Sequence, residues 1–407
     1  MKLHLTGPSS NLLKAAIQIT GSKSESNRSL LLQALYSDIS INNISNSDDA
    51  EVMQKGLQIS NGIVDIHHAG TAMRFLTGYF ASQEGKKVIL TGSKRMTERP
   101  VKVLVEALRS LGADIEYEKN DGYPPIQING KKLTKNKVSL PADISSQYIS
   151  SLLLIAPSLE NGLELELVGK ITSVPYIKMT LALLSEIGVV NSFEGNIIKV
   201  SQKVSVNKTI LTVESDWSSA SYFYSIVALA DVGTEIVLSA YKKNSLQGDS
   251  VLSEIYTDFG VETVFKENKI TLKKTSDSKL STVNYDLANA PDIAQTIAVT
   301  CFGLGMGCHL TGLHTLKIKE TDRLEALHTE LTKLGASILV TDKDLTLQTA
   351  TSLNEDISID TYNDHRMAMA FAPLAMKTSI LINDAEVVSK SYPDYWADLE
   401  RLQFSIN

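Results

Sequence analysis

The chain has 407 residues, 43% of them hydrophobic, which is enough for two core-bearing domains. Its net charge of −7 argues against a protein built to hold nucleic acid or an anionic membrane, so clustered basic residues read as local sites for small anions. No apolar run approaches the roughly 18 residues of a membrane span. The opening Met1-Lys2-Leu3-His4-Leu5 lacks the apolar core of a signal peptide. The two cysteines, Cys301 and Cys308, lie in a Gly-rich apolar segment without metal-ligand spacing. These features predict a cytoplasmic protein with buried thiols and no metal site.

In chain order, polar clusters recur just ahead of apolar helical stretches. Ser24-Glu25-Ser26-Asn27-Arg28 precedes Leu30-Leu31-Leu32, and Gly70-Thr71 precedes Ala72-Met73-Arg74-Phe75-Leu76. Glu98-Arg99-Pro100 precedes Val101, Leu104, Val105 and Leu108, with Pro100 in the favoured first helical position. That helix closes at Leu111-Gly112, where Gly112 suits the C′ position, and a strand, a turn and the strand Pro125-Ile126-Gln127-Ile128 follow. Ser145-Ser146-Gln147 opens an apolar helix from Tyr148. Ser173-Val174-Pro175-Tyr176 opens another, closing at Gly188 before the strand Ile197-Ile198-Lys199-Val200. A similar close comes at Gly260, before Ile270-Thr271-Leu272. Pro291-Asp292 precedes Ile293 and Ile297. Lys319-Glu320-Thr321-Asp322-Arg323 precedes Leu324, Leu327, Leu331 and Leu334 at helical spacing, with Gly335 at the close and Leu345-Thr346-Leu347 beyond. Asn363-Asp364-His365-Arg366 precedes Met367 and Met369.

The closing glycines 112, 188, 260 and 335 lie 76, 72 and 75 residues apart, which marks an internal repeat. Counting back to Gly62 gives an interval of 50, so the first repeat is short by roughly 25 residues; counting forward reaches Ser405, at the end of the chain. Six units of helix, strand, turn and strand are predicted, in two lobes of three. The polar clusters all fall at helix starts, where backbone N–H groups are unpaired, and several such starts brought together would attract anions strongly. In Lys319–Arg323, two cations beside a helix N-terminus make an anion site. Glu320 among them is a salt-bridge partner or a proton carrier. Taken alone, these five residues read more readily as a solvated, salt-bridged helix start.

The clusters together resemble the 5-enolpyruvylshikimate-3-phosphate synthases, of the bacterial type. The residues that carry the resemblance are Gly21-Ser22-Lys23-Ser24-Glu25-Ser26-Asn27-Arg28, Ala69-Gly70-Thr71-Ala72-Met73-Arg74, Arg95-Met96-Thr97-Glu98-Arg99-Pro100, Ser145-Ser146-Gln147, Lys319-Glu320-Thr321-Asp322-Arg323-Leu324 and Asp364-His365-Arg366-Met367-Ala368-Met369, with Ser391-Tyr392-Pro393-Asp394-Tyr395 near the C-terminus. The resemblance implies an α/β fold of two domains, 1–21 with 214–407 and 22–213. Each is a set of three βαβαββ units with helices inside and sheets outside, and the active site lies in the cleft between them. It implies transfer of the enolpyruvyl group of phosphoenolpyruvate to the 5-hydroxyl of shikimate 3-phosphate. Phosphate is lost by addition and elimination, without a cofactor, in a monomer whose partners are these small anions. Glyphosate would be expected to occupy the phosphoenolpyruvate site.

By the same resemblance, Lys23, Ser24, Arg28, Ser145, Ser146, Gln147, Ser173, Asp292 and Lys319 hold shikimate 3-phosphate. Lys23, Gly70, Arg99, Gln147, Arg323, Arg366 and Lys390 hold phosphoenolpyruvate. Asp292 takes the hydroxyl proton, Glu320 carries the proton at the methylene carbon, and Lys23 shares in proton transfer. Arg74 is divided between a ligand contact and a brace for the site. Three positions depart from the pattern: His68 where Asn is usual, Phe75 where Pro is common, and Thr315 where many members have Asn. The nearest other readings are the related transferase acting on UDP-N-acetylglucosamine, which usually carries a reactive cysteine in its first domain, and a non-catalytic anion-binding relative.

Overall fold

The computed structural model of the chain describes residues 1–143, 145–169, 171 and 174–407. The chain divides into two compact units, Gly21–Val213 and Met1–Thr20 with Glu214–Asn407. The expected division left Gly21 with the N-terminal stretch. The structure places it in the second unit, where a Cβ at residue 21 would lie 1.9 Å from the Asn43 carbonyl oxygen.

The unit Gly21–Val213 contains helices α1 (Lys23–Leu35), α2 (Asp48–Gln58), α3 (Gly70–Ser82), α4 (Lys94–Thr97), α5 (Lys102–Leu111), α6 (Ser146–Ile155) and α7 (Val174–Glu186). Two of its sheets share one plan. Strand 61–65 runs parallel to 87–91, which pairs antiparallel with 126–129, itself the hairpin partner of 114–117. Strands 137–141, 163–168, 197–200 and 191–194 repeat that order. The third sheet has only two strands, 39–42 and 209–212, in parallel. After α2 the chain passes directly into strand 61–65, so the hairpin is absent and the first repeat is short. Gly62 therefore lies within a strand and not at a helix end.

The other unit holds α8 (Trp217–Leu229), α9 (Leu252–Ile255), α10 (Ala294–Gly303), α11 (Arg323–Lys333), α12 (His365–Phe371) and α13 (Tyr395–Arg401). Its three sheets follow the same plan: 14–17, 235–239, 269–274, 261–266; then 282–286, 307–311, 345–347, 338–340; then 357–359, 380–382, 3–6, 405–406. In the last, the N-terminal strand 3–6 closes the hairpin position against 405–406. The parallel pairs 282–286 with 307–311 and 357–359 with 380–382 are joined through α10 and α12, and the antiparallel pairs 261–266 with 269–274 and 338–340 with 345–347 through turns, as a βαβαββ unit requires.

Burial follows from composition. α10 is buried along its whole length, and α8 at every residue but Ser218. Strands such as 137–141 alternate exposed and buried residues. Helices therefore fill the interior and each sheet faces outward on one side. Cys301 and Cys308 are both buried, in α10 and the strand beside it. Gly112, Gly188, Gly260 and Gly335 all take positive φ, between +76° and +110°, which lets each helix end turn into its strand. Before Gly260 the helix is only a turn of α9 continued by a 3-10 turn. Pro100 was expected at the first helical position. Val101 is the N-cap of α5 instead, so Pro100 stands outside the helix and its carbonyl is available to others.

Candidate active site

In the unit of residues 1–20 and 214–407, four of the expected residues meet around a single carboxylate. Asp292 lies in the turn Pro291–Ile293 ahead of α10. Its Oδ1 is 3.2 Å from Lys319 Nζ and accepts from Arg323 Nη1 at 2.8 Å, while Oδ2 accepts from Arg366 Nη2 at 3.2 Å. Helix starts bring the cations there. Asp322 caps α11 by accepting from Leu324 and Glu325 N–H, which makes Arg323 the first helical residue. Asp364 caps α12 by accepting from the Arg366 N–H at 2.9 Å. Lys319 reaches Asp292 from the end of the preceding 3-10 turn.

Arg323 is gripped by three acids. Beyond Asp292, its Nε donates to Asp364 at 2.6 Å and its Nη2 to Glu320 at 3.0 Å. Burial would lower its pKa, but Asp364, Glu320 and Asp292 together raise it. Arg366 behaves likewise: burial is outweighed by Asp292, Tyr222 and Asp249. For Asp292 the balance has the opposite sign. Burial would raise its pKa, yet Arg366, Lys319 and Arg323 hold it well below the usual carboxylate range. Lys390 Nζ donates to the Asn363 carbonyl at 2.6 Å, beside the α12 cap. Buried Asp249 accepts from Ser218 Oγ; its pKa is pushed up to about 6 by burial first and by the Asp292 charge second.

The expected residues of Gly21–Val213 are held differently. Ser22 caps α1, so Ser24 and Arg28 lie inside the helix and not ahead of it. Lys23 Nζ is 3.2 Å from Asp49 Oδ2 on α2, and the other oxygen of Asp49 is 4.0 Å from His68 Nε2. Arg28 is buried. Its Nε donates to Thr180 Oγ1 at 2.9 Å, its Nη1 to the Ser24 carbonyl at 2.8 Å and its Nη2 to Ser150 Oγ at 2.9 Å. The guanidinium carbon stands 5.3 Å from the Phe75 ring centroid and 5.8 Å from that of Tyr176, within cation–π range. No carboxylate among the described residues pairs with it. Burial lowers its pKa to about 10 against the opposing effects of Tyr176 and Glu25, so it stays cationic at neutral pH.

Arg74 is the brace. Its Nη1 donates to the Gly70 carbonyl at 3.2 Å and its Nη2 to the Pro100 carbonyl at 2.9 Å, while Tyr148 OH donates to the same Pro100 oxygen at 2.6 Å. Burial, and next the Arg99 charge, lower its pKa to about 10. Arg74 thereby ties the Arg99-Pro100 segment to the start of α3. That start has no side-chain cap. A Cβ at Gly70 would meet Arg99 Nη1 at 2.6 Å, so the guanidinium lies against the first turn of the helix. Ser145 caps α6 by accepting from Gln147 N–H, Ser146 is buried at its first position, and Gln147 Nε2 reaches Thr71 Oγ1 at 3.1 Å. Ser173 lies outside the described residues. Thr315 Oγ1 is buried without a hydrogen-bond partner among them.

Sequence reasoning missed Asp49, Asp249, Ser150 and Thr180, and it quoted Asp364 without a role. Asp49 reads as one of three acids in the first turn of α2. Ser150 and Thr180 sit inside apolar helices with no motif around them. Only the fold shows what they hold. Among the described residues, no group of three or more His, Cys, Asp or Glu side chains is arranged for a metal, and no helix is long and apolar enough to cross a membrane.

The family model for EPSP synthase (3-phosphoshikimate 1-carboxyvinyltransferase) matches residues 55–399. A 3-phosphoshikimate 1-carboxyvinyltransferase of Bacteroides fragilis strain YCH46 is 46% identical over 415 aligned positions, covering 100% of this chain and 99% of that protein. One from Colwellia psychrerythraea is 37% identical, covering 96% and 97%. Among solved structures, the EPSP synthase of Acinetobacter baumannii covers all of both chains at TM-score 0.83 with 21% identity. The enolpyruvyl transferase NikO of Streptomyces tendae covers 100% of this chain and 98% of its own at TM-score 0.75 with 12% identity. The chain belongs to the EPSP synthase family.

Proposed function

We propose that the two constellations serve one reaction and divide it between them. The chain is a transferase of aromatic amino-acid and chorismate biosynthesis that moves the enolpyruvyl group of phosphoenolpyruvate to the 5-hydroxyl of shikimate 3-phosphate. In this reading Ser24, Arg28, Ser145, Ser146, Gln147 and Ser173, with Lys23, Asp292 and Lys319, hold shikimate 3-phosphate. Gly70, Arg99, Arg323, Arg366 and Lys390, with Lys23 and Gln147, hold phosphoenolpyruvate. Both substrates are multiply charged anions, and bidentate arginines suit their carboxylate and phosphate groups.

The observation that carries the proposal is that the three cations around Asp292 are the ones assigned to the substrates. Without substrate they hold its carboxylate charged and weakly basic. As substrate phosphate and carboxylate groups draw on Lys319, Arg323 and Arg366, less positive charge is left on Asp292 and its proton affinity rises. It then accepts the 5-hydroxyl proton while that oxygen bonds to the central enol carbon. Glu320 gives a proton to the methylene carbon, which completes a tetrahedral ketal. In the second step Glu320 takes a proton back from the new methyl group. The C–O bond to phosphate breaks with its electron pair leaving on the phosphate oxygen, the double bond re-forms, the phosphate takes up the proton that Asp292 accepted in the first step, and Lys23 offsets its remaining charge.

The test is phosphate release from phosphoenolpyruvate with shikimate 3-phosphate, run beside UDP-N-acetylglucosamine. Release with the first acceptor and not the second is expected. Binding of both substrates without release would mean a non-catalytic anion binder. We read the chain as a cytoplasmic monomer, and sedimentation at assay concentration, with a single species of 44.4 kDa expected, tests the oligomeric part.

A further inference from the structure

Among the described residues Lys23 is the one cation of its constellation with a carboxylate partner, and that partner is shared. Asp49 presents one oxygen to Lys23 Nζ at 3.2 Å and the other to His68 Nε2 at 4.0 Å. We propose that His68 is a positioning residue that sets, through Asp49, how much of the Lys23 charge is offered to an incoming phosphate or carboxylate. The inference deepens the anion-binding role given to Lys23 and rests on it.

Asp49 can mediate because it is fixed. Ser47 caps α2, Asp49 stands in the first turn, where a negative charge is favoured, and its side chain is only 8% exposed. His68 stands on the loop between strand 61–65 and α3, and its side chain is 38% exposed, so its ring is open to solvent. The charged and titratable groups on the segments around the trio are Lys23, Glu25 and Arg28 on α1, Asp48, Asp49, Glu51 and Lys55 on α2, Asp65 at the end of strand 61–65, His67 on the loop, Arg74 on α3 and Arg99 against its first turn. With His68 neutral, the Asp49 charge is spent on Lys23 and the trio is neutral. With His68 protonated, the trio carries one net positive charge. It then sits beside a helix start that has no side-chain cap and has the Arg99 guanidinium against it. A multiply charged anion binds the second state better. Imidazole changes charge within the physiological range, whereas the Asn usual at this position cannot.

The test compares KM for phosphoenolpyruvate in wild type and His68→Asn from about pH 6 to about pH 8. Titration of the substrate's own phosphate is common to both. The rise in KM with pH is expected to be about two- to fivefold steeper in wild type, the size of a half-exposed ion-pair effect, with kcat profiles alike. Superimposable KM profiles, or a uniform fall in kcat, overturn the inference. Lys23→Met separates the levels. If it leaves KM unchanged, the role of Lys23 falls, and the inference with it. If it raises KM while wild type and His68→Asn superimpose, only the His68 inference falls. A direct readout is the ring-proton NMR titration of His68, identified by its loss in His68→Asn. In Lys23→Met it is expected to move to higher pH, because one cation fewer competes for Asp49. An unmoved titration overturns the coupling.

Discussion

The two constellations hold their arginines in opposite ways. Around Asp292 each cation is met by a carboxylate: Arg323 by three, Arg366 and Lys319 by Asp292 itself. In Gly21–Val213, Arg28 and Arg74 are buried against hydroxyls, carbonyls and aromatic faces, with no ion pair among the described residues. The difference appears in their proton affinities, raised for Arg323 and Arg366 and lowered to about 10 for Arg28 and Arg74. A desolvated cation without a counter-ion leaves its charge for a ligand. A cation already neutralised mainly adjusts the acid beside it. The first arrangement suits holding anions and the second suits moving protons.

The largest effect should follow from disabling a proton carrier in the carboxylate-rich cluster. Glu320→Gln keeps an oxygen for Arg323 Nη2, and Arg323 keeps Asp364 and Asp292, so the local geometry should persist. We expect kcat to fall about 10²–10⁴-fold with substrate affinity little changed. A loss below tenfold in steady-state turnover would remove Glu320 from the mechanism.

In the other constellation the same kind of substitution should act on binding. Arg28→Met removes a cation but strands little, because Thr180 Oγ1 already donates to Ser150 Oγ at 3.1 Å. KM for shikimate 3-phosphate is expected to rise about 10–100-fold, the worth of a charge-assisted hydrogen bond, with kcat within about threefold. Isothermal titration with shikimate 3-phosphate checks it. A fall in kcat with unchanged affinity would erase the division between the two constellations.

How much of this could be read in the sequence depends on how local the cause is. Helix starts were legible because one side chain makes a cap: Ser145, Asp322 and Asp364 each accept from an N–H two or three residues on. The glycines at 112, 188, 260 and 335 were legible because a left-handed residue at a helix end is a local demand. The placement of Pro100 failed because a proline suits several positions near a helix start. Asp49, Ser150, Thr180 and Asp249 were not legible. Their partners lie between 19 and 152 residues away and are brought together only by packing. Phe75 was noticed as a departure, but its place against Arg28 depends on α1 meeting α3.

A smaller effect should come from Asp249. Its folded pKa, about 6, lies above the ordinary value of 3.8, so the folded state holds its proton more tightly than the unfolded chain does. The stability this contributes is complete below about pH 4 and is lost as pH rises through about pH 6. Asp249→Asn cannot ionise and retains an oxygen for Ser218. The variant should therefore be more stable than wild type by about 1–3 kcal/mol at neutral pH and equal to it near pH 4. Urea unfolding at the two pH values decides it. A variant less stable at both would show that the Asp249 charge is needed by Arg366.

The smallest change tested is one methyl group at Gly70. The residue opens α3 with ordinary helical φ, so alanine there should leave folding stability unchanged or slightly improved. What the new Cβ meets is Arg99: Nη1 at 2.6 Å, with Cζ and Nη2 each at 3.1 Å. The far end of that side chain can move, but only by leaving the uncapped first turn of α3. Gly70→Ala should then act in two ways, by narrowing the wall where a phosphate or phosphonate approaches the helix N–H groups and by displacing a guanidinium assigned to the same ligand. A glyphosate molecule, longer than phosphoenolpyruvate, should suffer more from both. We expect KM for phosphoenolpyruvate to rise several-fold and the glyphosate inhibition constant to rise further, within the roughly 10–200-fold that one methylene of misfit can produce. Arg99→Lys separates the causes, since it weakens the guanidinium contact without narrowing the wall. If Arg99→Lys reproduces the full discrimination of Gly70→Ala, the displaced arginine accounts for it. If discrimination appears only with the methyl, the wall does. Equal inhibition constants in wild type and Gly70→Ala, measured at matched phosphoenolpyruvate saturation, would place the inhibitor elsewhere than against the start of α3.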